Sequence, residues 1–176
     1  YAVKFAVPEG FNIVKIGRKL EAEGLGNAAK FEEAARNYTP YPYMETNNPA
    51  VIFKAEGFVY PTTYQIDPDL SEKEILAIMV QTFNAEMNKE KIPELARQKE
   101  ISLRDLINLA SMVELEAVFE EEQPRIAGVF LKRLRIFMPI QSDTTIQYLL
   151  GAQKEEVTIA DTKIDSPYNT YQNQGL

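Results

Sequence analysis

The sequence contains neither cysteine nor histidine among its 176 residues. Cysteine nucleophiles, serine–histidine–aspartate triads, disulfides and zinc sites built from thiolate or imidazole are therefore excluded. If the chain catalyses a reaction near neutral pH, glutamate, aspartate, lysine or tyrosine must transfer the protons. The lack of cysteine also suits an oxidising compartment, without establishing one.

Long apolar runs and clusters of basic charge are also missing. No stretch of 18 apolar residues occurs and the sequence does not begin with a signal peptide, so we expect no membrane-spanning helix within it. The net charge of −7 arises from 26 acidic and 19 basic residues. No group of Lys and Arg stands out, which argues against nucleic acid or anionic lipid as a partner. The sequence opens and stops in mid-pattern, so we expect a fragment of a longer protein.

What is present is enough apolar sequence, 45%, for a folded core. Hydrophobic periodicity predicts an α+β fold that is mostly helical after residue 70. A strand over residues 1–8, helices capped by Asn12 and Asn27, and a strand over residues 50–53 would make a small βααβ unit. Further helices are expected to begin at the Ser71 capping box, behind Pro93, at Ser102, at Pro124, and at Ser142 or Asp143.

The helix expected over residues 102 to about 119 carries the strongest candidates for catalysis. Apolar side chains cover almost every face, which predicts a central position in the fold. Glu114 and Glu116 interrupt this run, and they point about 200° apart because they are two residues apart on a helix. One cleft therefore cannot use both. Small neighbours, among them Ala110 and Ala117, leave space for a ligand over Glu114, whereas bulkier ones surround Glu116.

A carboxyl group in an apolar cleft has a raised pKa, because desolvation penalises its charged form. Glu114 could then hold a proton near neutral pH and deliver it to a glycosidic oxygen. The pattern alone is also compatible with a Glu114 that is exposed or paired with Lys or Arg. The acidic run Glu120–Glu122 is better explained as a solvated loop than as a second catalytic carboxylate.

Several motifs in one order resemble the MltG-type (YceG-like) endolytic murein transglycosylase family. ASMVELEA at residues 110–117 resembles the family's ASIVEKEA helix, and EGFVYPTTY at 56–64 resembles its EGxLxPDTY. The other matching segments are VPEG at 7–10, PRIAGVF at 124–130, MPIQSD at 138–143 and IDSPYNTY at 164–171. The resemblance covers nearly the whole chain.

The resemblance implies a fold and an activity. Residues 1–49 would form a LysM-like subdomain packed on an α-rich catalytic domain over residues 50–176, whose C-terminal part is missing. Such enzymes cut nascent glycan strands between MurNAc and GlcNAc and leave 1,6-anhydro-MurNAc ends, with no cofactor and no metal. The MurNAc C6 hydroxyl attacks the anomeric carbon, so one carboxylate suffices. The family's catalytic glutamate maps onto Glu114.

The resemblance also implies where such a protein works and what it meets. The parent protein would be held in the cell membrane by one N-terminal helix, with this domain on the extracytoplasmic side. Peptidoglycan strands would be the substrate, and peptidoglycan synthases are candidate partners. A non-catalytic peptidoglycan-binding module, a scaffold for wall synthesis, and a hydrolase with Glu56 or Asp143 as base stay open as alternatives.

Candidate substrate-binding residues follow from the same motifs, since aromatic rings stack on sugars and amides bond hydroxyl groups. They are Gln141, Ser142, Asp143, Tyr168, Asn169, Glu56 and Tyr64. Ser142 or Asp143 could serve only as a helix cap, and the loop at 165–171 could be an ordinary turn with a buried tyrosine. We expect Glu114 at the floor of an elongated cleft that the 138–143 and 165–171 loops also line. Glu116 in that place would reverse the choice.

The sequence departs from the family pattern at three positions. Thr62 stands for the usual Asp of PDTY, Leu115 for the Lys between the two glutamates, and Thr144 for the Pro of SDPT. None of these changes removes Glu114, but they bear on the fine contacts expected with substrate.

Overall fold

The computed structural model describes residues 1–152 and 154–176, and the chain divides into two compact units, residues 1–104 and 105–176. The first unit contains β1 (Val3–Ala6), α1 (Ile13–Ala22), α2 (Ala28–Asn37), a 3₁₀ turn (Pro42–Met44), β2 (Thr63–Ile66), α3 (Glu72–Lys89) and α4 (Ile92–Gln98). The helix α5 (Leu103–Glu116) leads into the second unit, which continues with a 3₁₀ turn (Glu120–Glu122), α6 (Gln123–Arg135), α7 (Asp143–Leu150) and a 3₁₀ turn (Asp161–Lys163). This is an α+β fold, as predicted. In the described parts of the chain, no helix has the length and apolar character needed to cross a bilayer.

The sheet consists of β1 and β2, which pair antiparallel with Phe5 opposite Tyr64. The predicted strand over residues 50–53 is wrong. Just past that segment, the Lys54 and Ala55 amides donate to the carbonyls of Arg36 and Ala35, both at 3.1 Å. These bonds tie the chain after residue 53 to the C-terminal end of α2. The strand that pairs with β1 is formed instead by residues 63–66, where exposed and buried side chains alternate.

The helix ends in the first unit follow the local signals in the sequence. The Asn12 side chain accepts from the Lys15 amide at 2.9 Å, and the Asn27 side chain accepts from the Lys30 amide at 3.0 Å. Ser71 and Glu74 form the predicted capping box at the start of α3. Gly24, with φ +70°, follows α1 in the left-handed conformation that glycine adopts without strain.

The core of the first unit joins its helices to the sheet. Its largest fully buried side chains include Phe5, Ile16, Leu20, Phe31 and Met79. Helix α2 contacts both α1 and α3. The predicted boundary between residues 49 and 50 therefore lies inside this compact unit, and the assignment of residues 1–49 as a LysM-like subdomain stays a prediction.

The core of the second unit forms between α5 and α6. Leu109, Met112 and Val113 of α5 are buried together with Phe130 and Ile140. The prediction that α5 is central on every face is wrong, because its end carries Leu115, and the segment after it carries Val118 and Phe119, all exposed. The helix ends at Glu116 because the Glu122 carboxylate accepts from the Val118 and Phe119 amides and starts a new turn. The Glu120–Glu122 run is solvated, as predicted.

Candidate active site

The end of α5 and the start of α7 meet through Ser142. This residue caps α7, since its Oγ accepts from the Thr144 amide at 3.4 Å. The same hydroxyl donates to Glu116 Oε2 at 3.1 Å. Ser142 is only 1% exposed, so the predicted direct bond from Ser142 to substrate is corrected. Its hydroxyl faces a protein carboxylate instead.

The 165–171 loop joins this meeting point through Thr170, which sequence reasoning did not single out. The Thr170 carbonyl accepts from the Gln141 amide, and its Oγ1 accepts from the Ser142 amide, both at 3.0 Å. The two loops predicted to line one cleft are therefore bonded to each other. Gln141 has φ +56° and an exposed side chain, so a role for that side chain in binding substrate stays a prediction.

Tyr171 and Asp143 form a second link between the same loops. The Tyr171 hydroxyl donates to Asp143 Oδ1. Burial, this hydrogen bond and the negative charges of Asp143 and Glu116 raise the pKa of Tyr171 to about 12, while Arg133 acts in the opposite direction. Tyr171 thus keeps its proton at neutral pH.

Asn169 supports the loop from within. Its Nδ2 donates to the carbonyls of Thr162 at 3.0 Å and Ile164 at 2.8 Å, and its Oδ1 accepts from the Tyr171 amide at 2.9 Å. The side chain is completely buried. The predicted contact of Asn169 with substrate is therefore corrected, because its polar atoms are engaged by the loop and by the two carbonyls just before it. Tyr168 is half-buried, and its ring stacks on Tyr148 with centroids 5.5 Å apart.

Glu114 occupies a different setting on α5. It lines an open concavity of about 300 Å³. The other lining residues are Leu106, Leu109, Ala110, Val113, Gln123, Pro124 and Ala127. Of the small neighbours predicted around Glu114, Ala110 lines this concavity, together with larger apolar side chains. The cleft predicted around it is corrected, however, because the glutamate that the structure bonds to the 138–143 loop is Glu116.

Glu56 and Tyr64 have structural roles in the first unit. Glu56 Oε1 accepts from the Ile13 amide at 3.0 Å, at the first residue of α1. Tyr64 is buried and its hydroxyl donates to the Tyr60 carbonyl. Burial raises the pKa of Tyr64. The predicted contact of Tyr64 with substrate is corrected, because its ring and hydroxyl belong to the core.

Comparison with known proteins agrees with these motifs over the whole chain. The YceG-like family model matches residues 1–176. An endolytic murein transglycosylase of Bacillus subtilis strain 168 is 33% identical over 202 residues, which cover 100% of this chain and 51% of that protein. One of Streptococcus pneumoniae serotype 2 strain D39 is 35% identical over 131 residues, which cover 70% of this chain and 23% of that protein.

A solved structure agrees as well. The crystal structure of a YceG-like protein from Listeria monocytogenes superposes with a TM-score of 0.87 at 29% identity, covering 99% of this chain and 61% of that one. The chain spans about half the length of the Bacillus subtilis relative. With a family match over every residue and a close structural likeness, the chain belongs to the YceG-like family.

Proposed function

We propose that this chain is the catalytic part of an endolytic murein transglycosylase. Its substrate is the glycan strand of peptidoglycan, which it cuts between MurNAc and GlcNAc to leave a 1,6-anhydro-MurNAc end. Family membership and the two named relatives support the reaction class. The observation that carries the site is the exposed Glu116 carboxylate, bonded by Ser142 at the junction of two loops.

The reaction needs one carboxyl group that first gives a proton and then takes one. As an acid, Glu116 protonates the glycosidic oxygen, and the bond from that oxygen to the MurNAc anomeric carbon breaks. The MurNAc C6 oxygen then bonds to the anomeric carbon, and its proton passes to the Glu116 carboxylate. No water is consumed and the acid is regenerated.

The geometry supports Glu116 over Glu114 for this role. General acid–base catalysis requires a carboxyl group held in a defined orientation within reach of the substrate. The Ser142 bond occupies Oε2 of Glu116, so the transferred proton is carried on Oε1. Glu114 is the choice that its small, apolar neighbours favour, and it stands as the alternative within the same reaction.

The same proposal extends to the protein around the site. The family resemblance supports a LysM-like role for residues 1–49, a membrane anchor outside this sequence, and an extracytoplasmic position for the catalytic part. It also supports peptidoglycan synthases as partners. Each of these assignments can fail without affecting the reaction at Glu116.

Glu116→Gln and Glu114→Gln form a matched pair that tests the assignment. Glutamine keeps the shape and hydrogen bonding of glutamate but cannot cycle a proton. Because acid–base catalysis contributes about 10²- to 10⁴-fold, Glu116→Gln is expected to lose that factor while Glu114→Gln keeps most activity. Anhydro-ended strands are counted by mass spectrometry, and circular dichroism checks that both variants fold.

Each other result has a definite meaning. Loss in Glu114→Gln alone transfers the catalytic role to Glu114, and full activity in both variants refutes the carboxylate mechanism. Reducing ends in place of anhydro ends would identify a hydrolase. Binding of strands without any cleavage by the wild-type chain, or by a longer protein that contains it, would identify a binding module.

A further inference from the structure

The hydroxyl of Ser142 is fully engaged on all sides. A serine hydroxyl offers one proton and two acceptor lone pairs. The Thr144 amide donates to Ser142 Oγ at 3.4 Å, and Thr144 Oγ1 lies 2.7 Å from the same atom. If Thr144 supplies both donors, the lone pairs of Ser142 are filled, and its proton is left for Glu116 Oε2 at 3.1 Å.

The direction of these bonds follows from proton counting. The bond between the Ser142 and Thr144 hydroxyls could run either way on distance alone. Of the two hydroxyls, the one bonded to Glu116 is that of Ser142, and its single proton is used in that bond. Thr144 must then donate to Ser142, and the three groups form a relay from Thr144 through Ser142 to Glu116.

We propose that Thr144 is a positioning residue for the transglycosylase reaction, because its hydroxyl fixes the Ser142 proton on the Glu116 carboxylate. This inference rests on the proposed function. Thr144 is buried, so it acts through Ser142 and not on the glycan. The SDPT motif that residues 142–145 resemble would place proline here, and proline has neither a hydroxyl nor an amide proton to donate. The relay is thus a property of this chain's own residue.

Thr170 and Thr145 fix the backbone of Ser142 through hydrogen bonds. Its Oγ1 accepts from the Ser142 amide at 3.0 Å and lies 2.9 Å from Thr145 Oγ1. Thr145 Oγ1 in turn donates to the Ser142 carbonyl at 2.9 Å. Both main-chain polar groups of Ser142 are therefore bonded, and what remains free to turn is its hydroxyl. Thr144 removes that last freedom.

Thr144→Val is the decisive variant, because valine keeps the shape and the amide but lacks the hydroxyl. Without that donor Ser142 can rotate away from Glu116. Misplacement of a reacting group by about 1 Å can cost 10²-fold, so we expect kcat for anhydro-end formation to fall about 10- to 100-fold. KM should change little, since Thr144 does not touch the glycan.

Two further variants separate positioning from general damage. Thr144→Ser restores the hydroxyl and is expected to restore kcat. Thr162→Val is the matched control, because it removes a hydroxyl that donates to the Ile159 carbonyl at 2.8 Å in the same unit, and it should keep wild-type kcat. A crystal structure of Thr144→Val adds a direct readout, the distance from Ser142 Oγ to Glu116 Oε2. We expect it to exceed hydrogen-bond range.

The outcomes divide cleanly. A raised KM with unchanged kcat, an unchanged kcat, or no rescue by Thr144→Ser overturns the proposal. An intact Ser142–Glu116 bond in the Thr144→Val crystal also overturns it. If the wild-type protein forms no anhydro ends, the proposed function fails, and the crystal distance alone then decides whether Thr144 orients Ser142. Should Thr144→Val fail to fold, Thr144→Ala is put through the same measurements and judged by the same criteria.

Discussion

Replacement of Asn169 should lower the stability of the fold, because its buried amide holds the protein's own backbone. Its amide makes three hydrogen bonds, to the carbonyls of Thr162 and Ile164 just before the 165–171 loop and from the Tyr171 amide within it. In Asn169→Ala all three are lost in a fully buried position. At about 1 kcal/mol for each bond, the free energy of unfolding should fall by roughly 3 kcal/mol. The part of this cost that comes from the Thr162 carbonyl should be smaller, because Gln172 Nε2 also donates to that carbonyl at 3.4 Å.

Asn173→Ala is the matched control for this measurement. Its Nδ2 donates to the Ser166 and Asn169 carbonyls at 2.8 and 3.1 Å, but the side chain is exposed and water can replace it. We expect a change within about 0.5 kcal/mol. Urea denaturation followed by circular dichroism measures both variants, and hydrogen exchange at the Tyr171 amide reports on the loop itself.

Asn169→Asp sharpens the test. The substitution keeps an acceptor for the Tyr171 amide, but it turns a carboxylate oxygen toward the two carbonyls that the amide had bonded. The loss at neutral pH should exceed that of the alanine variant. It should ease as the pH falls toward about 4, the unfolded pKa of aspartate, because burial raises the folded pKa and the protonated carboxyl can again donate. Equal, small losses for Asn169→Ala and Asn173→Ala, with a raised KM for the former, would refute the structural role and restore Asn169 as a substrate contact.

Two other regions give independent predictions. Phe137 follows α6 with φ +55° and is 76% exposed, so Phe137→Gly should relieve left-handed strain and raise the unfolding free energy by roughly 0.5–1 kcal/mol. Phe119→Gly, at φ −121°, is the control, and an equal gain there in urea denaturation would contradict the strain argument. The Thr158 amide, together with Lys154 and the Thr158 hydroxyl, lowers the pKa of Asp161 to about 2. The hydrogen bonds of Asp161 should therefore stabilise the fold above about pH 4, which is the pKa of aspartate in the unfolded chain. This stabilisation should be lost as the pH falls toward 2. An NMR titration of Asp161 measures the pKa, Asp161→Asn should flatten this part of the acid profile, and a pKa near 4 would contradict the assignment.

The sequence predicted those parts of the fold that depend on neighbours along the chain. Asn12, Asn27 and Ser71 cap helices because a side-chain oxygen two or three residues before the bonded amide is a local arrangement. The segment at 50–53 has an apolar run typical of a strand. Whether it enters the sheet depends on the end of α2, which the run itself does not encode.

The same dependence on tertiary packing explains why the proposed catalytic glutamate could not be chosen from the sequence. The helical angle between Glu114 and Glu116 can be read from their spacing, and it correctly indicates that the two carboxylates point in different directions. Which direction meets α7 depends on how α5, α6 and the 138–143 loop pack, and Ser142 lies at the Glu116 side. For Asn169, the motif identifies the residue but not whether its amide faces a sugar or its own loop. That distinction rests on carbonyls at positions 162 and 164.

The pairing of β1 with β2 has a consequence for how the protein is made. Phe5 lies opposite Tyr64, so the first strand must wait until residues 63–66 have been synthesised before it can pair. Closing a loop as long as residues 7–62 costs roughly 3–4 kcal/mol in entropy, which the packing of α1 and α2 must offset before the strands can hold together. During that interval a nascent strand with unpaired backbone groups and a large aromatic side chain is open to other chains. An unpaired strand edge of this kind can pair with another chain, so Val3–Ala6 is a site where aggregation could start during synthesis.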